Sequence, residues 1–112
     1  MEDNKSAEVL ANEIRRRFAK SFLDILILQQ IKTEPTWGYD IIKKTETQYG
    51  VKLRHGALYP LLNGLEAKGL LKSRREIQRG RTRKIYEITE RGNQLLNSYD
   101  AFTHRISDKN VR

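Results

Sequence analysis

The chain has 112 residues, with 22 Lys and Arg against 14 Asp and Glu, a net charge of +8 and no cysteine. That length sets one domain with a single modest core, and the lack of cysteine excludes disulfides and thiolate metal sites. The basic excess calls for a polyanionic partner.

The first residues, 1–5, are expected to be a loose, polar N-terminus. They lack the hydrophobic core of an export signal, and the longest apolar run, Ile25 to Leu28, is too short to cross a bilayer. An intracellular, cytoplasmic and nucleoid-associated protein without membrane contact is expected. From Ser6 to Lys32 the pattern predicts one helix, with Val9, Leu10, Ile14, Phe18, Phe22, Ile25, Leu26 and Ile31 as its stripe. Between Phe22 and Ile31 this helix is apolar nearly all round, which predicts burial on more than one side. One side would face its own core and the other a second copy of the chain.

Pro35 ends that helix, and a second runs from Trp37 or Gly38 to Gln48, closed by Gly50. Val51 to Leu53 reads as a short strand. A third helix begins near Gly56 or Ala57, because Pro60 has no N–H and belongs in a first turn. Its apolar face is Leu58, Leu61, Leu62 and Leu65, and Gly69 closes it. The front keeps His55, Tyr59, Asn63, Glu66 and Lys68, a hydrogen-bonding face of the size that a DNA major groove accepts. Taken alone, such a helix is more often a packed surface helix.

The segment after Gly69 changes that balance. Leu71 to Gln78 and Lys84 to Thr89 alternate as strands around Arg79-Gly80-Arg81-Thr82, a hairpin. Lys72, Arg74, Arg75, Arg79, Arg81, Arg83 and Lys84 stand against Glu76 alone, a net +6 in thirteen residues. Each Arg offers planar donors that suit two phosphate oxygens, so the hairpin reads as a phosphate contact rather than a merely solvated turn. Thr89 and Glu90 then start a last helix carrying Leu95, Tyr99, Phe102 and Ile106.

Three helices, a hairpin and a further helix describe a mainly α fold with a small β-hairpin: a winged helix-turn-helix over residues 6–89, followed by a C-terminal dimerisation helix over 90–112. The reader set is His55, Gly56, Tyr59, Pro60 and Asn63, and the wing set is Arg74, Arg75, Arg79, Gly80, Arg81, Thr82, Arg83 and Lys84. Tyr39, Lys43 and Lys44 on the second helix are expected to reach the backbone. Lys43 and Lys44, and Arg15, Arg16, Arg17 and Lys20 on the first helix, equally suit a solvated face. Tyr59 reads as half-buried core, as a phosphate donor, or as both. Gly64, inside the third helix, marks either a close backbone approach or simple tolerance. The expected dimer contacts are Phe22, Ile25, Leu26, Leu95, Tyr99, Phe102 and Ile106. His55 and His104 are far apart and no catalytic or metal-binding spacing occurs, so neither an enzyme nor a metal or cofactor site is expected.

Four segments resemble the PadR-like transcriptional regulators: Gly38-Tyr39-Asp40-Ile41-Ile42, Leu58-Tyr59-Pro60-Leu61-Leu62, Leu65-Glu66-Ala67-Lys68-Gly69-Leu70, and Tyr86-Glu87-Ile88-Thr89-Glu90-Arg91-Gly92. They stand in the family's order and spacing over Ile25 to Leu96. The resemblance implies a homodimeric winged-helix protein that binds double-stranded DNA. It also implies, in most members, repression, sometimes relieved by a small aromatic effector, with first and last helices forming the dimer. The length resembles the short branch. Ala57 stands where the family commonly has a hydroxyl, which leaves a phosphate contact there to His55 or Tyr59. The last helix lacks the tryptophans between which some members hold flat ligands, and Trp37 reads as a packing residue. Two other readings compete: a protein–protein interaction module, which would not need Arg79, Arg81 and Arg83, and a non-specific nucleic-acid coat, which would use the same charges.

Overall fold

The apolar run after Phe22 decides the architecture. In the computed structural model, which describes residues 5–107, Leu23–Thr33 forms a helix (α2) whose Ile25, Leu26, Ile27, Leu28, Gln30 and Ile31 are all buried. A helix this apolar must be covered on every side, and its own chain covers it. A preceding helix Ala7–Ser21 (α1), a later helix Gly38–Tyr49 (α3) and the last helix Glu90–Ser107 (α5) all pack on it.

The single long helix expected from Ser6 to Lys32 is therefore two. Phe22 sits between them at φ −114° and ψ 31°, off the helical region, while its N–H still reaches the Phe18 carbonyl. The change of character explains the break: α1 exposes every side chain except half-buried Ala11 and Glu13 and buried Ala19, whereas α2 is core. The expectation that the α2 surplus faces a second copy is also corrected for Ile25 and Leu26, which are 8% and 7% exposed within one chain. Lys5, expected to be loose, pairs with Glu13 at 2.6 Å, and Ser6 caps α1 by accepting from the Val9 N–H. The rest of the expected loose N-terminus, 1–4, and residues 108–112 of the expected C-terminal helix lie outside the described residues.

Glu34, ahead of Pro35, is extended, as a residue before proline prefers. That turns Thr36–Trp37 into a two-residue strand (β1) which pairs antiparallel with Arg81–Ile88 (β3). Leu71–Gln78 (β2) pairs on the other side, giving sheet order β1-β3-β2. The short strand thus lies at Thr36–Trp37 and not at Val51–Leu53. Val51 and Leu53 instead turn inward from an irregular link, buried at 4% and 8%.

The helix His55–Ala67 (α4) starts earlier than expected. The Ala57 and Leu58 N–H groups both bond the Arg54 carbonyl, which places Pro60 in the second turn. Its missing N–H denies the carbonyl four residues back, on exposed Gly56, its usual helical donor. The C-terminus agrees with expectation. Gly69 is left-handed at φ +76°, its N–H bonds the Glu66 carbonyl, and the Leu70 N–H bonds Leu65, the paired bonds of a Schellman ending. Leu58, Leu62 and Leu65 are buried, with Leu61 half-buried beside them.

Tyr86, Ile27, Leu28, Ile31, Ile41, Leu58, Leu62 and Leu96 fill the core. Thr89 ties α5 to it: its hydroxyl accepts from the Gly92 N–H at 3.1 Å and donates to the Gly69 carbonyl at 2.6 Å. Any Cβ on Gly92 would stand 2.4 Å from the Leu70 carbonyl oxygen. The whole is elongated, 55 × 37 × 20 Å, with a radius of gyration of 16.8 Å where a compact domain of this size has about 13 Å.

Candidate nucleic-acid interface

The wing is set by its turn. Gln78 pairs with Arg81, so only Arg79 and Gly80 lie outside the ladder, and both have positive φ, 51° and 76°. Two left-handed central residues make a type I′ turn, whose twist matches the strands. Glycine takes that conformation freely, but an arginine pays a steric penalty.

The register sorts the charges. Leu71, Ser73, Arg75 and Ile77 share a face with Thr82, Lys84, Tyr86 and Ile88, and the opposite face carries Lys72, Arg74, Glu76, Arg81, Arg83, Ile85 and Glu87. The first face turns toward α4, since the Ser73 hydroxyl donates to the Glu66 carboxylate at 2.7 Å and Lys84 lies 3.8 Å from it. On the second, Arg74 pairs with Glu76 at 2.7 Å and with Glu87, and Lys72 lies 3.8 Å from Glu87. The wing's cations therefore face Glu66 and Glu87 as well as Glu76. Arg75, Arg79 and Arg81 form no ion pair among the described residues and are exposed. Arg83 is also without a carboxylate; its guanidinium lies 3.6 Å from the centroid of the Trp37 ring. Thr82 and Gly80 are exposed at the tip.

On α4, His55, Gly56, Tyr59, Pro60 and Asn63 are all exposed along one side. His55 and Tyr59 stack at 6.0 Å and 18°. The Tyr59 hydroxyl lies so near α3 that a Cβ on Gly38 would come within 2.8 Å of it. Tyr59 is thus both contact and surface, 40% exposed. The side chain of Asn63 has no hydrogen-bond partner among the described residues. Tyr39, in the first turn of α3, is 53% exposed, its ring 5.4 Å from that of Trp37 at a tilt of 31°. The side chain of Lys43 is exposed and unpaired among the described residues, whereas Lys44 is held by Glu34 at 3.2 Å, which sets these two apart. A methyl group placed on Gly64 would have nothing within 4 Å of it, so no close approach requires the glycine.

Two cations escaped the sequence reading. Val51 and Leu53 are buried while Lys52 and Arg54 are exposed, so the link to α4 presents both cations beside the first turn of the helix. Arg54 precedes the positive end of the helix dipole and forms no ion pair among the described residues, an unfavourable place for a cation unless an anion approaches. The alternation itself was the available signal. Trp37, expected as a packing residue, is instead half-buried under Arg83 and lies outside the core.

A helix-turn-helix with an exposed second helix, flanked by a basic hairpin, defines a winged-helix DNA-binding fold. Its family emerges from comparison with known proteins. The chain belongs to the transcriptional regulator PadR-like family, whose model matches residues 27–98. It is 31% identical over 81 residues to the transcriptional regulator Rv3488 of Mycobacterium tuberculosis, covering 72% of this chain and 75% of that one. A PadR-like transcriptional regulator from Bacillus cereus superposes with a TM-score of 0.73 at 26% identity, covering 81% of this chain and 89% of the other. A PadR family regulator from Clostridium difficile gives 0.71 at 29%, covering 76% and 90%. The family is one of transcriptional regulators and not of enzymes. Among the described residues no group of three or more His, Asp or Glu is placed to hold a metal ion, and no helix is long and apolar enough to cross a membrane.

Proposed function

We propose that the protein is a sequence-specific repressor that binds double-stranded DNA as a homodimer, with α4 in the major groove and the wing on the phosphates. The observation that carries this reading is the uncancelled charge of the wing. Arg75, Arg79 and Arg81 lack acidic partners among the described residues, next to a helix whose front exposes His55, Tyr59 and Asn63. Phosphate contacts set affinity and register, and base contacts set specificity. The wing arginines, with Lys52, Arg54 and Lys43, supply the first. Asn63 is suited to the second, because an amide can pair with adenine through donor and acceptor together.

The dimer is supported by the surface that remains uncovered. Ile14 and Phe18 on α1 are 55% and 48% exposed, and Phe102 and Ile106 on α5 are 50% and 69% exposed. With Val9, Phe22 and Leu95 they leave apolar surface on the first and last helices, which a second copy would cover. Tyr99 belongs partly to its own core, its ring 6.1 Å from that of Phe22 at a tilt of 48°. The small aromatic effector has a candidate seat of about 640 Å³ lined by Ile14, Phe18, Ala19, Leu26 and Tyr49, with Arg15 beside them. It adjoins the same face of α1, so an effector there would act through the dimer.

The test is a titration of wild type, Asn63→Ala and Arg81→Ala against a selected duplex and a scrambled one at fixed salt. Asn63→Ala should lose about 1–3 kcal/mol on the selected site and little on the scrambled one. Arg81→Ala should weaken both alike and, over a salt series, flatten the log–log slope by about 1. Equal affinity of the wild type for both duplexes would make the chain a non-specific coat, and no affinity for either would favour a protein–protein module.

A further inference from the structure

The lone tryptophan takes no part in the DNA contacts proposed so far, and its surroundings give it one. Trp37 pairs with Ile85 across the sheet, so its ring lies on the same face as Arg83, two residues back along β3. Long side chains on such a diagonal reach one another, and the Arg83 guanidinium lies 3.6 Å from the centre of the indole. Arg83 has a carboxylate directly opposite in the ladder, on Glu76, yet Glu76 is taken by Arg74. Tyr39 extends the array, its ring 5.4 Å from the indole at 31°.

Stacking uses the face of a guanidinium and leaves the N–H donors along its edge unengaged. None of them is bonded to a described residue. The edge of Arg83 is thus held in one orientation with its donors open, which suits the two oxygens of a phosphate. An arginine at the free tip must lose its rotamer freedom on binding, whereas one already stacked has lost it beforehand. Here the stack also joins the wing to the first turn of α3, so the wing cation is fixed relative to the helix-turn-helix.

We propose that Trp37 is a positioning residue for DNA binding: it holds Arg83 so that the open edge of the guanidinium meets a backbone phosphate, and the two residues act as one unit. This rests on the reading that the wing contacts DNA, and the experiment separates the two ideas. A labelled duplex is titrated, over a salt series, with wild type, Trp37→Leu, Trp37→Phe, Arg83→Ala, Arg81→Ala and the Trp37→Leu/Arg83→Ala double variant.

Arg83→Ala should flatten the salt slope by about 1. Trp37→Leu should cost about two- to fivefold in affinity, the worth of an exposed cation–π contact, and Trp37→Phe should recover most of it. In the Arg83→Ala background, Trp37→Leu should cost nothing further. As an independent reading, Arg83→Ala should shift the Trp37 emission of the free protein. A loss from Trp37→Leu that persists without Arg83 would mean that the tryptophan serves only the fold and would overturn the proposal, as would an unmoved emission spectrum. If Arg81→Ala and Arg83→Ala both leave the slope unchanged, the wing reading falls and this proposal with it. If Arg81→Ala flattens it while Trp37 and Arg83 act additively, only this proposal falls.

Discussion

Arg79→Asn should raise stability and lower DNA affinity at once, and the opposed signs are the point. Arg79 holds φ at +51° in the first central position of a type I′ turn, a conformation that costs an ordinary L-residue about 1–2 kcal/mol. Asparagine before glycine is the favoured pair for this turn, and residue 80 is already Gly80. Relief of half the penalty gives about 0.5–1 kcal/mol. For a domain of this size that is a rise of about 2–8 °C in Tm. Arg79 makes no ion pair with a described residue whose loss would offset the gain. The same substitution removes a tip cation, so the log–log salt slope of DNA binding should flatten by about 1. Melting should be monitored at one fixed protein concentration, because association raises apparent stability by mass action. A lower Tm would refute the strain argument. A higher Tm with an unchanged salt slope would refute the claim that this strained arginine is kept for its charge.

Two glycines should respond in opposite directions. Gly64→Ala should stabilise α4 by up to about 1 kcal/mol, since nothing stands within 4 Å of the added methyl, whereas Gly92→Ala should destabilise by about 1–3 kcal/mol because its Cβ meets the Leu70 carbonyl oxygen at 2.4 Å; urea unfolding reads both. Burial, with Glu66 and Tyr59 nearby, holds the Tyr86 hydroxyl above its ordinary pKa of 10.0, and that hydroxyl has no hydrogen-bond partner among the described residues. The folded chain keeps this proton more firmly than the unfolded one, so the stability it contributes is present below pH 10 and is lost as pH rises through the folded value. Tyr86→Phe should be neutral or slightly stabilising at pH 7 and should lack that alkaline loss in pH-dependent melts. Phe102→Glu, on a side chain 50% exposed in the single chain, should leave the fold intact and convert a dimer to a monomer in sedimentation; an unchanged dimer would move the interface elsewhere.

Much of this was legible because the sequence repeats its message at several levels. Leu58, Leu62 and Leu65 recur at helical spacing and are the buried residues of α4. Gly69 comes after them as a left-handed stop, and Thr89 and Gly92 fix the last helix against that stop. The features that escaped were tertiary. A break at Phe22 leaves no mark in a stripe that continues across it, because the cause is a change in surroundings between α1 and α2. Pro60 suggested a helix start, but Arg54 accepts the first bonds and the proline is tolerated a turn later beside exposed Gly56. A two-residue strand at Thr36–Trp37 is too short for periodicity and exists because β3 lies beside it. That same pairing places Trp37 under Arg83 and not in the core, so missing the strand also misplaced the tryptophan.

The carboxylates give the wing a direction. Glu66 and Glu87 lie near its base and Glu76 midway, and together they engage Lys72, Arg74 and Lys84. These exposed pairs add little stability, typically below about 1 kcal/mol each, but they cancel charge where the hairpin meets the core. Beyond them Arg79 and Arg81 have no such cancellation from described residues, so positive potential increases toward the turn. Such crowding is tolerable in water because salt screens it over about 8–10 Å, and it is relieved most when phosphates replace that screening. A hairpin that only needed solubility would have no reason to leave the cations at its turn bare while its acids engage those nearer the core. The wing therefore reads as a charge gradient pointing outward, and the role proposed for α4 beside it is to select the sequence on which that charge settles.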